Sequence, residues 1–324
     1  MDGDSRNDLE VGGRSWFFYT IERLSGISGF RDTSHFLDYG DMRPGHILYE
    51  VQESWHPPTV EGQIDGGELH FVDIWKTAQK MTRNPVKFGN ICATCLPMML
   101  WNEHYPSDKE MIMDIAAVVN EEYKELAKAG CKVIQIEEPV HHFNCQMEPP
   151  ASDSDLKFYN EAFNRQVKDV ETEIWAHTCW GNPNQQSFYW ERPSYDRALD
   201  YFLDMECDVI DLECASNQAR DAALFKNVDL KKYGKKIGIG VVDHTRTTVE
   251  SPEIVADTIR RALEFIPEDR LVITADCGFG REGLSRRIAY YKCVSLVLGT
   301  NIVRSELGLE EKYVAASDNL YSFS

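Results

Sequence analysis

The 324-residue sequence has no apolar run approaching the roughly 20 residues that a membrane-spanning helix needs. Positive charge is scarce: 34 Lys and Arg against 53 Asp and Glu leave a formal net charge of −19. No local basic patch offsets that charge, so nucleic acid and anionic membrane surfaces are poor partners. There is no Gly-x-Gly-x-x-Gly between a strand and a helix and no P-loop, so dinucleotide or nucleoside-triphosphate binding of the usual kind is not indicated. No signal peptide is expected ahead of the first charged residues. The nine cysteines are an odd count, scattered at strand ends and in helices rather than spaced as a small secreted framework. Reduced thiols in a cytoplasmic protein are the expectation.

What is present is an ordinary soluble composition, 43% hydrophobic and 27% charged, ample for a core. Length alone suggests about two domains, but β/α barrels of this size form one. Residues 14–24 read as a helix. Residues 25–69 are broken by Gly and Pro and read as irregular or short strand. A helix over 71–81 places Phe71, Ile74, Trp75 and Ala78 on one stripe. A rhythm then sets in. Strands are expected at 86–95, 133–136, 173–180, 209–215, 236–242 and 271–278. Helices are expected at 107–129, about 155–170, 195–206, 219–225, 251–265 and 284–298. Ser107 with Glu110 forms a capping box, Gly130 stops that helix, and Ser251-Pro252 opens another. The strands are near-continuous apolar runs, as strands buried on both faces should be, and the alternation implies an α/β fold with a parallel sheet.

The polar residues with chemistry collect at the C-terminal ends of these strands: Glu137, His177, Cys179, Glu213, Asp243 and Cys277. In a β/α barrel that is the active-site face; an open doubly wound sheet, the alternative, would place ligands only at its switch point. His177-x-Cys179 sits at the end of a strand, where side chains two apart share a face. An imidazole and a thiolate side by side are half of a zinc site. Two later strands release Glu213-Cys214 and Cys277 in the same way. Taken singly, each of these residues also fits a packed thiol, a core histidine or a strand-end acid. Cys92-x-x-Cys95 fits a redox pair, a second metal site or plain core thiols; on a straight strand the two sulfurs face opposite sides, so a shared role requires a turn. Cys214 reads as a core thiol, Trp175 and Trp180 as packing. His141-His142 fall on an expected polar loop, solvated or serving as a lid.

The ordered set Gly3-Asp4-x-Arg6-x-Asp8, Ile134-Gln135-Ile136-Glu137-Glu138-Pro139, His177-x-Cys179, Ile210-x-x-Glu213, Gly240-Val241-Val242-Asp243 and Asp276-Cys277-Gly278 resembles the catalytic barrel of cobalamin-independent methionine synthase. The likeness covers nearly the whole chain and extends to related single-domain enzymes that use methyl-corrinoid donors and to epoxyalkane:coenzyme M transferases. It implies a TIM-type β/α barrel (UROD/MetE-like), a single zinc-binding catalytic domain over 1–324. Measured against the family, the first strand, its helix and most of the second strand are missing. The expectation is an N-terminally incomplete barrel whose open seam favours aggregation or a homo-oligomer.

The resemblance also implies a ligand set for Zn2+: His177, Cys179, Glu213 and Cys277. It places Asp4 and Glu137 on the amino group of homocysteine, although the family has Glu and Asp there in the opposite order. The family's proton-shuttling histidine comes two residues after the acid matched by Asp243. Here that place is Thr245, and His244, one residue early, is the catalytic candidate. The Thr-Gly-Pro of the third strand and the tryptophan-bearing folate segment have no match. The implied activity is zinc-dependent S-methylation of homocysteine to methionine, from a methyl-folate or methyl-corrinoid donor. Two other readings stay open: alkylation of another small thiol, as in epoxide opening by coenzyme M, and a non-catalytic zinc-binding barrel subunit. Paired carboxylates suit a substrate ammonium and would repel the sulfonate of coenzyme M.

Overall fold

Strands of four to six residues alternate with helices that begin on serine. The computed structural model describes residues 18–30, 58–181, 193–279 and 284–317. The chain divides into two compact units, Met1–His177 with Asp200–Asp208, and Thr178–Leu199 with Val209–Ser324.

In the first unit, α1 (Phe18–Ile21) and β1 (Ile27–Phe30) precede β2 (Pro58–Val60), α2 (Phe71–Gln79), β3 (Phe88–Ile91) and β4 (Trp101–Asn102). A small sheet joins β1 antiparallel to β2 and β2 parallel to β4. Then come α3 (Asp108–Lys128), β5 (Val133–Glu137), α4 (Val140–Gln146), α5 (Asp153–Val167), β6 (Glu173–Thr178) and α6 (Leu199–Asp204). Strands β3, β5 and β6 are parallel, and their register sets Ile91, Glu137 and His177 level at the C-terminal end. Helix α3 starts where Ser107 Oγ accepts the Glu110 N–H at 3.4 Å. It buries Met111, Ile115, Val119 and Leu126 on one stripe, packed on α5. It stops before Gly130, whose φ of +99° other residues resist.

The second unit holds β7 (Val209–Leu212), β8 (Lys236–Gly240), α7 (Pro252–Leu263), β9 (Leu271–Thr274) and α8 (Arg286–Glu306). Its strands are again parallel, with Leu212 opposite Ile239 and Gly240 opposite Thr274. All four residues of β7 are buried. Helices α7 and α8 pack together, with serine caps Ser251 and Ser285. No described helix is long and apolar enough to cross a membrane.

The six expected parallel strands are present among the described residues. Three expectations are corrected. The strand at 86–95 ends at Ile91, because Cys92 caps a 3-10 turn over Ala93–Met99 whose first N–H, from Ala93, bonds Gln166 Oε1 at 3.0 Å. The polar loop after Pro139 begins with a turn of helix, α4, in which His141 and His142 are fully buried. The last helix runs eight residues beyond 298, to Glu306.

Candidate active site

In the first unit, the pleat separates two adjacent acids. Glu137, at the end of β5, keeps 18% of its side chain exposed and sets Oε2 3.6 Å from His177 Nε2. Its Oε1 accepts from Gln135 Nε2 at 2.5 Å. Glu138 is buried: it accepts from Thr94 Oγ1 at 3.1 Å and from the Val140 N–H at 3.0 Å, and it lies 3.2 Å from His141 Nδ1. That network, with the His141 ring edge-on to Tyr159 and Phe202, explains why the histidine pair is packed rather than solvated. The turn at Ala93–Met99 supplies what a shared role for Cys92 and Cys95 requires, and their sulfurs are 3.2 Å apart. Burial pushes both thiols above their ordinary pKa, Cys92 strongly.

In the second unit, Cys179 and Cys277, 98 residues apart in sequence, bring their sulfurs to 3.5 Å in a buried setting. Glu213 follows β7 and is completely buried. Its Oε2 accepts from the Trp180 N–H at 2.8 Å and its Oε1 from Ser216 Oγ at 2.9 Å. Trp180 stacks on Tyr195 with ring centroids 4.9 Å apart, and Tyr195 donates its hydroxyl to the Thr178 carbonyl at 3.2 Å. Burial, and after it the Glu213 charge, push the Tyr195 phenol well above its ordinary pKa.

Asp276, one residue before Cys277, is also completely buried. It accepts the backbone N–H of Cys214 (2.8 Å), Ala215 (2.7 Å) and Ser216 (3.0 Å). Burial, followed by the Glu213 carboxylate, raises its proton affinity, and the Ala215 and Cys214 amides oppose that rise. His244 is buried, and one ring nitrogen lies within 4.8 Å of carboxylate oxygens of Glu213 and Asp276, which are as close to each other. Asp243 accepts from Thr245 N and Oγ1 at 2.7 and 2.6 Å and sits 3.2 Å from Arg246 Nε. The loop is pinned from below, where Glu250 accepts the Asp243 N–H at 2.9 Å and pairs with the buried Lys292 at 2.8 Å.

Of the residues singled out from sequence, Cys179 and Cys277 stand together in the second unit, and so do Glu213 and His244, beside Asp276. Glu137 and His177 stand together in the first. Asp4 lies outside the described residues. Sequence reasoning gave no role to Ser216 or Asp276; a buried acid spent on backbone amides leaves no mark in sequence beyond its place beside Cys277. The donor set suits a borderline soft cation. Two thiolates about 2.3 Å from a tetrahedral ion stand about 3.8 Å apart, near the separation of the Cys179 and Cys277 sulfurs.

Comparison with known proteins gives concordant matches. Residues 44–293 match the family described as cobalamin-independent synthase, catalytic domain. A methionine synthase of Saccharolobus solfataricus is 33% identical over 310 residues, covering 94% of this chain and 79% of that protein. One from Thermococcus kodakarensis is 38% identical over 212 residues, covering 65% of this chain; the match spans only 55% of that protein. Among solved structures, a B12-independent methionine synthase from Shewanella sp. W3-18-1, in complex with selenomethionine, superposes with a TM-score of 0.69. It shares 26% identity and is matched over 89% of this chain and 78% of that one. A Listeria monocytogenes protein described as a vitamin-B12-independent methionine synthase shares the fold at 16% identity, TM-score 0.59. These likenesses and the parallel strand–helix units give the fold class, a TIM-type β/α barrel.

Proposed function

The chain belongs to the cobalamin-independent synthase family, on its catalytic domain, and is a methyltransferase; from that premise we propose that it transfers a methyl group to the sulfur of homocysteine, forming methionine, with zinc held by His177, Cys179, Glu213 and Cys277. The observation that carries the reading is the buried Cys179–Cys277 pair with sulfurs 3.5 Å apart. Glu213 is tied to the same place through Trp180, and His177, near the end of β6, precedes Cys179 by two residues. When bound, zinc supplies what a free thiol of pKa near 8.5 lacks at neutral pH, a fully deprotonated sulfur. Two thiolates, a carboxylate and a neutral imidazole leave the loaded centre a net charge of about −1, which keeps a substrate sulfur electron-rich.

The reaction forms one S–C bond and breaks the bond between the methyl carbon and its carrier. The bonding pair leaves with the carrier, and the homocysteine thiol proton is lost. The chain's own residues bind, orient and dry the site. Glu137, at the C-terminal end of β5 and partly exposed, receives the substrate ammonium, with Asp4 as its partner. His244, beside Glu213, handles the proton. Trp180 and Tyr195 exclude water from the thiolate side. The methyl donor is a methyl-folate or a methyl-corrinoid.

Turnover of homocysteine with methyl-folate, with methylcobalamin, and of coenzyme M with an epoxide, on protein of measured metal content, tests the reading. Methionine formed in proportion to zinc is expected. Turnover only with the epoxide and coenzyme M would replace the substrate assignment, and full methylation by metal-free protein would remove zinc from it.

A further inference from the structure

Asp276 belongs to no ligand set proposed above, yet it is completely buried and holds three backbone amides. Its Oδ1 accepts two amide protons, from Cys214 at 2.8 Å and Ala215 at 2.7 Å, and its Oδ2 accepts a third, from Ser216, at 3.0 Å. Those three amides form the turn that follows Glu213. Ser216, the last of them, also donates its hydroxyl to Glu213 Oε1 at 2.9 Å. The Asp276 N–H is fixed in turn on the Val242 carbonyl at 3.1 Å. The next residue along the chain is Cys277.

The neighbouring strand is shaped around this carboxylate. Gly240 ends β8. A Cβ there would overlap Asp276 Oδ1 and stand 2.7 Å from its Cα and 2.8 Å from its N. Only glycine admits that approach, since these are backbone atoms of a buried residue and cannot step aside.

Asp276 lies with Glu213 and His244 in a group whose oxygen and nitrogen atoms are all within 4.8 Å, so a role as direct ligand must be weighed. Its hydrogen bonds decide against it. An oxygen already holding two amide protons has little left for a cation, and breaking three short amide bonds inside a buried turn would leave three donors unsatisfied. The geometry suits a strut.

We infer that Asp276 is a positioning residue for the metal centre, tying the turn that carries Glu213 to the segment that carries Cys277, with Gly240 left bare to admit it. The inference rests on the zinc-site reading above. Partners of this outer kind set the orientation of ligands, and their loss lowers metal affinity about 10- to 100-fold. Asp276→Asn keeps shape and one acceptor oxygen. It turns an amide NH2 toward the Ser216 N–H, so donor meets donor and the turn must shift.

Cobalt(II) titrated into the metal-free wild type, Asp276→Asn and Gly240→Ala provides the test, with the melting temperature of each metal-free protein as control for folding. In the wild type, one cobalt with an intense thiolate charge-transfer band is expected. Asp276→Asn should keep that band, because both cysteines remain, while its d–d bands move and its affinity falls about 10- to 100-fold. Gly240→Ala should reproduce the shift with the carboxylate intact, and it carries the test alone if Asp276→Asn does not fold. Wild-type binding with Asp276→Asn or Gly240→Ala matching it in spectrum and affinity would overturn the strut and leave the zinc reading standing. A folded Asp276→Asn that takes up no cobalt would make Asp276 a ligand, which also overturns the strut. A wild type that binds no cobalt would sink the zinc reading, and the strut with it.

Discussion

Glu137 and Glu138 are adjacent and chemically equal, and their surroundings give them different work. Glu138 is consumed by Thr94, Val140 and His141 inside the fold, whereas Glu137 retains exposure and accepts from Gln135. A charge-assisted hydrogen bond contributes about 1.5–3 kcal/mol, so Glu137→Gln should raise the homocysteine dissociation constant about 10- to 100-fold with zinc content unchanged. The thiol 4-mercaptobutyrate, which lacks the amino group, should be nearly indifferent. Equal small shifts for both thiols in a binding titration would count against the ammonium contact. For the cysteines the forecast concerns metal rather than substrate. Cys277→Ala removes one of two thiolates and should cost several kcal/mol of the roughly 10–16 kcal/mol typical of structural zinc sites; elemental analysis showing full zinc in the variant would contradict the assignment. Cys179, Glu213 and Cys277 stood out in the sequence because each falls within three residues past the end of a strand. The sequence could not show that Asp243 is occupied by Thr245 and Arg246, since side-chain rotamers in a loop are settled by neighbours distant in sequence.

The four longest helices start on Ser107, Ser152, Ser251 and Ser285, each accepting the N–H three residues on. This local chemistry is readable from sequence, and Ser107 and Ser251 are predicted from it. Loss of such a cap costs about 1 kcal/mol, so Ser152→Ala, whose cap bond is 3.2 Å long, should lower the denaturation free energy by that amount. An unchanged urea midpoint would show that α5 draws nothing from its cap. Strands were equally legible, because runs such as Val209–Leu212 are apolar but for Asp211 and buried throughout. Legibility fails where one side chain from elsewhere decides. The 3-10 turn at Cys92 depends on Gln166, 73 residues away, holding the Ala93 N–H. Helix α4 depends on Glu138 bonding forward to the Val140 N–H. A period-two or period-3.6 pattern records neither.

For the whole molecule, metal and stability are linked, because an ion that binds only the folded chain stabilises it in proportion to the logarithm of its free concentration over its dissociation constant, about 2.7 kcal/mol at a hundredfold excess. Chelator-treated protein should therefore melt lower than untreated protein and recover when zinc is restored; identical melting curves would mean that no tight site exists. Under the proposed function, homocysteine would be activated by joining its sulfur to a zinc ion held by His177, Cys179, Glu213 and Cys277. X-ray absorption at the zinc edge, recorded before and after homocysteine is added, tests it most directly. Two sulfur and two oxygen or nitrogen neighbours are expected at rest, with one oxygen or nitrogen neighbour exchanged for sulfur when homocysteine is added. A coordination shell that does not change at saturating homocysteine would contradict it.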